Sequence, residues 1–243
     1  MQPIKTFFLA ALTFAAAAFT ACNQSGEQTT ETTATADSTA VQTPPAEKKT
    51  VAMVVSHHVK DYAKWRPFFD KDAPNRSAAN MKELGVFQDD ADPNYVSISV
   101  SVEDMEAAKK FAASEELKKT MQEAGVTDQP EVKFYEFQFT DDAAGNSYDN
   151  RAFVIAKVQD YPSWKTVFDS RDSLRKAAGI FTVVVAKNLD DTNEVAVALA
   201  AADMQTLKSF MSSPALKEGM EKSGVTAPPI IQYAKKAVSP APM

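Results

Sequence analysis

His57 and His58 are the only two histidines in the chain, and they are adjacent. Imidazole changes charge nearest neutral pH, so either ring could act as a general base or as a ligand to a bound group. Neighbours on a strand point to opposite faces, so only one of the pair can reach a given interior. With no third histidine, a metal shell would have to be completed by carboxylates, and no metal site is expected. Trp65 and Trp164 could form stacking walls for an aromatic ligand. Tyr62 and Phe69, and likewise Tyr161 and Phe168, share their helical stripes, which reads as packing of helix on sheet. Arg76 and Arg175 could hold an anion. Asp72 lies four residues before Arg76 and Asp172 three before Arg175, ordinary spacings for ion pairs on a helix surface. Asp70 and Asp169 are further candidates to partner these arginines or to shape a helix end. The ligand-binding candidates are therefore His57, His58, Trp65, Trp164, Arg76 and Arg175. No nucleophile elbow, phosphate-binding glycine loop or paired-carboxylate signature occurs. With 7 glycines in 243 residues, a nucleotide site built on backbone amides is not expected. No catalytic residue is assigned and no cofactor is expected.

These residues come in matched sets because the chain reads itself twice. Shifted by 99 positions, Val51 to Phe137 falls on Asn150 to Lys236 without a gap, and 26 of the 87 pairs are identical. A tandem duplication follows. Trp65 pairs with Trp164 and Arg76 with Arg175, whereas His57 and His58 pair with Ala156 and Lys157. Any chemistry on the histidines is therefore confined to one copy.

Each copy predicts the same order of elements. Strands are expected at Ala52 to Val59 and Ala152 to Val158. A helix follows each, capped by Asp61 and Asp160. Pro162 fits a first helical turn, whereas Pro67 and Pro74 predict an irregular or split helix in the first copy. Two strands follow, Leu84 to Gln88 and Tyr95 to Val102, then Ile180 to Lys187 and Glu194 to Ala200. Asp92-x-Asn94 and Asp191-x-Asn193 mark the turns between them. A second helical region begins near Asp104 and Asp203. Ser114 and Ser213 cap a further short helix, with Pro214 in its first position and Gly125 and Gly224 as stops. Met105, Met121, Met204 and Met220 sit at buried helical spacing and belong to the core. Last strands run Glu131 to Phe139 and Ile230 to Ala234. Strand, helix, strand, strand, helix, strand is the α+β, ferredoxin-like order. Repeat 1 is assigned to 51–139 and repeat 2 to 151–237. The polar segment 140–150 is a linker, and 238–243 is a tail.

With Asp-Tyr-x-x-Trp opening the first helix and Phe-Asp following, this order resembles the dimeric α/β-barrel superfamily. That group includes antibiotic-biosynthesis monooxygenase-like and cyclase-like proteins. The resemblance covers 51–236. It implies two ferredoxin-like repeats facing their sheets together as an intramolecular dimeric α/β barrel, a monomer that is an internal pseudo-dimer. It also implies a cleft between them.

The first 22 residues are a targeting segment. Lys5 precedes an apolar run, Thr6 to Phe19, too short for the about 20 residues of a bilayer span. Phe19-Thr20-Ala21-Cys22 resembles a bacterial lipoprotein signal, with Phe19 where Leu is usual. Cys22, the only cysteine, would carry the lipid, making the membrane a partner of the chain. Residues 23–50 are polar and lack large apolar side chains, so they read as a disordered tether reaching on the order of 30 Å. Asn23 is not the aspartate of inner-membrane retention, which favours an outer-membrane address in the cell envelope. A net charge of −6 and a pI near 5.1, without a basic stripe, argue against nucleic acid. Three functions stay open: a binding module for a small apolar or aromatic ligand between the repeats, a cofactor-independent monooxygenase-like or cyclase-like enzyme, and an envelope protein-interaction domain.

Overall fold

The computed structural model describes residues 49–237. The segment read as a lipoprotein signal, Cys22, nearly all of the stretch read as a tether, and the expected tail lie outside the described residues. The chain begins with strand β1 (Val51–His58), helices α1 (Tyr62–Lys71) and α2 (Ala73–Ala78), strands β2 (Met81–Asp89) and β3 (Tyr95–Val102), helices α3 (Met105–Ala112) and α4 (Glu115–Ala124), and strand β4 (Glu131–Thr140). A short helix α5 (Asp142–Ser147) follows. The same series then recurs as β5 (Asn150–Lys157), α6 (Tyr161–Ser170), α7 (Asp172–Ala177), β6 (Phe181–Asn188), β7 (Glu194–Ala201), α8 (Met204–Met211), α9 (Pro214–Lys222) and β8 (Ile230–Lys236).

The eight strands close into an antiparallel barrel in the order β1-β3-β2-β8-β5-β7-β6-β4, with β4 returning to β1. Each half runs 4-1-3-2. The halves join at two seams, β2 with β8 from Phe87↔Lys236 to Asp89↔Ala234, and β4 with β6 from Tyr135↔Asn188 to Thr140↔Val184. Closure rests on short seam ladders, three residue pairs between β2 and β8 and five between β4 and β6.

Local chemistry explains the elements. Asp61, Asp160, Asp104, Asp203, Ser114 and Ser213 each accept a backbone N–H of the helix they open, as their sequence positions require. The chain bends left-handed at Asn80 (φ 55°) and, 99 residues on, at Gly179 (φ 73°), a position where Asn and Gly are the tolerated residues. The strand bulges also recur at this offset, between Glu83 and Gly85 and between Thr182 and Val184.

Alternation along β1 sends Met53, Val55 and His57 under the helices and Val54 and Ser56 into the barrel. Two helix-on-sheet cores result, one around Trp65, Val86, Val96 and Val100, the other around Trp164, Val185, Val195 and Leu207.

The split helix expected in the first half is present, α1 followed by α2 with Pro74 in its first turn, but Pro67 lies inside α1 without ending it and the same break recurs between α6 and α7, where no proline stands. The split is therefore a property of both halves rather than of the prolines. Two expectations need correction. Residues 49 and 50, counted with the expected tether, join the fold: Lys49 Nζ reaches Glu136 Oε1 at 3.0 Å, and the carbonyl of Thr50 accepts from Phe137 N–H. Segment 140–150 is no loose boundary: it extends β4, forms α5 under an Asp141 cap and enters β5. The described residues form one compact unit.

Candidate functional site

The barrel interior holds a cavity of about 260 Å³. The first half lines it with Ser56 on β1, Ser97 and Ser99 on β3, and Lys133 and Tyr135 on β4, beside the apolar Val54, Leu84, Phe87, Ile98 and Phe137. The second half supplies Phe153 and Ile155 on β5, Val184 and Ala186 on β6, and Ala196 and Ala198 on β7, together with Arg151, Gln232 and Lys236. Phe87 crosses to Phe153 in an edge-to-face contact with ring centroids 4.9 Å apart. Gly85 permits this packing, since a Cβ there would stand 2.8 Å from the Phe87 ring.

At one end, Tyr135 donates to Glu194 Oε1 at 3.0 Å and Asn188 Nδ2 donates to the same oxygen at 2.8 Å. Lys133 Nζ lies 3.4 Å from Oε1, and Lys157 Nζ lies 3.2 Å from Oε2. Burial alone would raise the Glu194 carboxyl. The Asn188 and Tyr135 donors and the two ammonium groups outweigh it and hold the group below the usual carboxylate range. Burial and the Glu194 charge push the Tyr135 phenol well above its ordinary value.

Near the middle, Ser97 Oγ lies 2.9 Å from Ser56 Oγ and donates to Gln232 Oε1 at 3.4 Å. Gln232 Nε2 is buried and has no hydrogen-bond partner among the described residues. An unmet buried donor costs roughly 1–3 kcal/mol. Beyond, segment 140–150 caps the barrel, and Arg151 is tied into it. The guanidinium donates to the carbonyls of Gly145 at 2.6 Å, Asn150 at 3.1 Å and Tyr148. Burial lowers its pKa.

None of the six residues singled out from the sequence lines this cavity. His57 is 2% exposed and packs edge-on against Trp65 in the helix-on-sheet layer. Neither of its ring nitrogens has a partner among the described residues, and burial lowers its pKa to about 4. His58 sits at the rim, where Nδ1 meets Asp128 Oδ2 at 2.7 Å and the ring tilts on Tyr95. Trp65 stacks on Phe69 and Trp164 on Phe168, with centroids 5.2 and 5.0 Å apart. Arg76 donates to the Phe69 carbonyl at 2.7 Å and stacks 3.7 Å over that ring. Arg175 does the same with Phe168, at 2.7 and 3.8 Å. Asp72 and Asp172 pair with these arginines at 3.5 and 3.3 Å. Asp70 pairs instead with Arg66, and Asp169 with Lys165. The structure brings His57, Trp65 and Arg76 around one small space of about 70 Å³, and Trp164 and Arg175 around another of about 100 Å³, both beneath helices. No group of three His, Cys, Asp or Glu that could hold a metal occurs among the described residues.

Sequence reasoning missed the cavity residues because it followed identity between the copies. The lining carries the opposite signal. At the 99-residue offset Ser56 pairs with Ile155, Ser97 with Ala196, Ser99 with Ala198, Phe87 with Ala186, Lys133 with Gln232 and Tyr135 with Ala234. No aligned pair in the lining is identical, while Val55, Trp65, Phe69, Val86 and Val96, all on the helix side, match their counterparts. Strand positions that alternate between matched and unmatched would have marked the inward face.

No family model and no curated protein matches the chain. Among solved structures it is similar to an anthrone oxidase-like protein, with TM-score 0.53 and 15% identity over 79% of this chain and 93% of that one. It is similar also to a "putative monooxygenase" from Lactobacillus acidophilus NCFM, with TM-score 0.50 and 12% identity over 78% and 94%. A protein of the same description from Fusobacterium nucleatum gives 0.50 and 11% over 78% and 93%. At these identities the likeness concerns the fold alone. The chain has the α+β architecture of the dimeric α/β-barrel, ferredoxin-like proteins, with its eight antiparallel strands closed into one barrel.

Proposed function

We propose that this chain is a lipid-anchored envelope protein whose tandem ferredoxin-like repeats enclose a binding site for one small, largely apolar ligand. The observation that carries the reading is the cavity inside the barrel, lined mostly by apolar side chains with a few polar groups among them. Its volume, about 260 Å³, exceeds the ~150 Å³ apolar cavity that takes benzene and falls short of drug-sized pockets of roughly 300 Å³ and more. A ligand of one or two rings, or an aliphatic molecule of similar bulk, matches it. The loss of every identity between the copies at this lining supports specialisation of the interior after duplication, while the helix side kept its packing. Closure of the barrel within a single chain supports a monomer. The Phe19–Cys22 signal and the polar stretch behind it support lipidation at Cys22, and Asn23 supports the outer membrane.

The enzyme alternative, monooxygenase-like or cyclase-like, has the fold likeness in its favour. Tyr135 in the lining and its hydrogen-bond partner Glu194 favour binding instead. Tyr135 is pushed up and Glu194 held down, so each keeps its resting protonation state near neutral pH, whereas acid–base catalysis uses groups poised near that pH. The test is native mass spectrometry of residues 49–238 purified from the protein's own envelope, beside Ala198→Trp, which fills the cavity. A bound small molecule in the parent and none in the variant is the expected result. An unliganded parent that takes up no apolar probe would remove the reading.

A further inference from the structure

Among the buried polar atoms, Gln232 Nε2 stands out by its place. It is a hydrogen-bond donor enclosed beside an otherwise suitable ligand cavity, with no partner among the described residues. Gln232 faces Phe153 across the β5–β8 ladder, and its Oε1 is already engaged by Ser97. In this arrangement the free end of the amide is the donor. Ser97 is in turn held by Ser56. Buried donors in folded proteins almost always find an acceptor, and at this position a bound molecule can supply one.

We infer that the cavity selects a small apolar ligand carrying one neutral acceptor oxygen, which docks on Gln232 Nε2 while the apolar body lies against Phe153, Ile155, Ala196 and Ala198. This inference rests on the proposed binding role and adds the chemistry of recognition. A carbonyl or ether oxygen is desolvated at far lower cost than a carboxylate, so a neutral acceptor suits the uncharged Gln232 amide.

The test compares 2-acetylnaphthalene with 2-isopropenylnaphthalene, a planar isostere in which CH2 replaces the carbonyl oxygen. Dissociation constants for both are measured by titration calorimetry on the chain from Asn23 onward and on Gln232→Met, with far-ultraviolet circular dichroism as the folding control. The raw preference of one protein mixes the hydrogen bond with the hydration of the ketone. The change in preference between parent and variant isolates the bond. The expected result is a shift of about tenfold toward the alkene in Gln232→Met, the size of one buried hydrogen bond. Gln232→Glu, of nearly the same shape, is expected to weaken the ketone selectively as well, and it serves if the methionine variant misfolds. An unchanged ratio in a folded variant, with both probes bound, would overturn the Gln232 anchor and leave the cavity standing as a binding site. Failure of the parent to bind either probe would overturn both.

Discussion

The Tyr135 hydroxyl reaches across the barrel seam to Glu194, 3.0 Å away, tying the fourth strand of one half to the third strand of the other. Asn188 and Lys157, both from the second half, share the carboxylate with Lys133 of the first. The network is a lock between halves that the covalent linker alone does not provide. Tyr135→Phe is expected to destabilise the fold by about 1–2 kcal/mol, read as a lower denaturant midpoint. The depressed Glu194 pKa gives stability that is present above the unfolded carboxylate value and lost as pH falls through the folded one. Glu194→Gln should therefore show a shallower loss of stability on acidification than the parent. Equal acid slopes would remove the network from the stability of the barrel.

His57 titrates in a different window. Burial depresses its pKa from 6.5 to about 4, so its neutral form stabilises the fold above the unfolded value, and that contribution fades as pH drops from 6.5 toward 4. Between pH 7 and pH 5 the expected loss is about 2 kcal/mol from this group alone. His57→Phe should flatten the profile over that interval in chemical denaturation. A parent whose stability is constant from pH 7 to pH 5 would contradict the buried, neutral histidine.

Arg76 and Arg175 act through planarity. Each guanidinium lies flat on a phenyl ring and donates to the carbonyl of that same phenylalanine. Lysine keeps the charge but loses the fork and the stack. Arg76→Lys and Arg175→Lys are each expected to cost about 1–2 kcal/mol in thermal or chemical unfolding while leaving affinity for a cavity ligand unchanged. A stable variant with lost affinity would return these arginines to the list of ligand contacts.

The fold was largely legible because its signals are local and occur twice. The aspartate and serine caps, the Tyr-Trp-Phe stripes and the left-handed positions at Gly125 and Gly224 mark where elements start, stop and pack. Closure into a barrel was readable only through resemblance, because the seams pair residues such as Phe87 and Lys236 that no local pattern links. Segment 140–150 read as a linker because its polar composition hides its role. Its carbonyls, not its side chains, hold Arg151. None of the six candidate residues lines the interior cavity. The most chemical-looking residues, the histidines, tryptophans and arginines, were kept in or near the helix layer by packing. Small and ordinary residues, Ser56, Ser97, Ala196 and Ala198, shape the interior. Strand alternation puts His57 and Ser56 on opposite faces, and the sequence alone did not reveal which face was enclosed.

The most direct measurement is methyl NMR of the protein during titration with 2-acetylnaphthalene. Ile155, Val184 and Ala198 report on the barrel interior, while Leu117 and Leu216 report on the spaces beneath the helices. Binding between the sheets is expected to shift the first set, give intermolecular contacts to Ile155 and leave the second set nearly unmoved. Contacts confined to Leu117 or Leu216, with Ile155 and Val184 unchanged, would contradict an interior site and place binding under the helices instead.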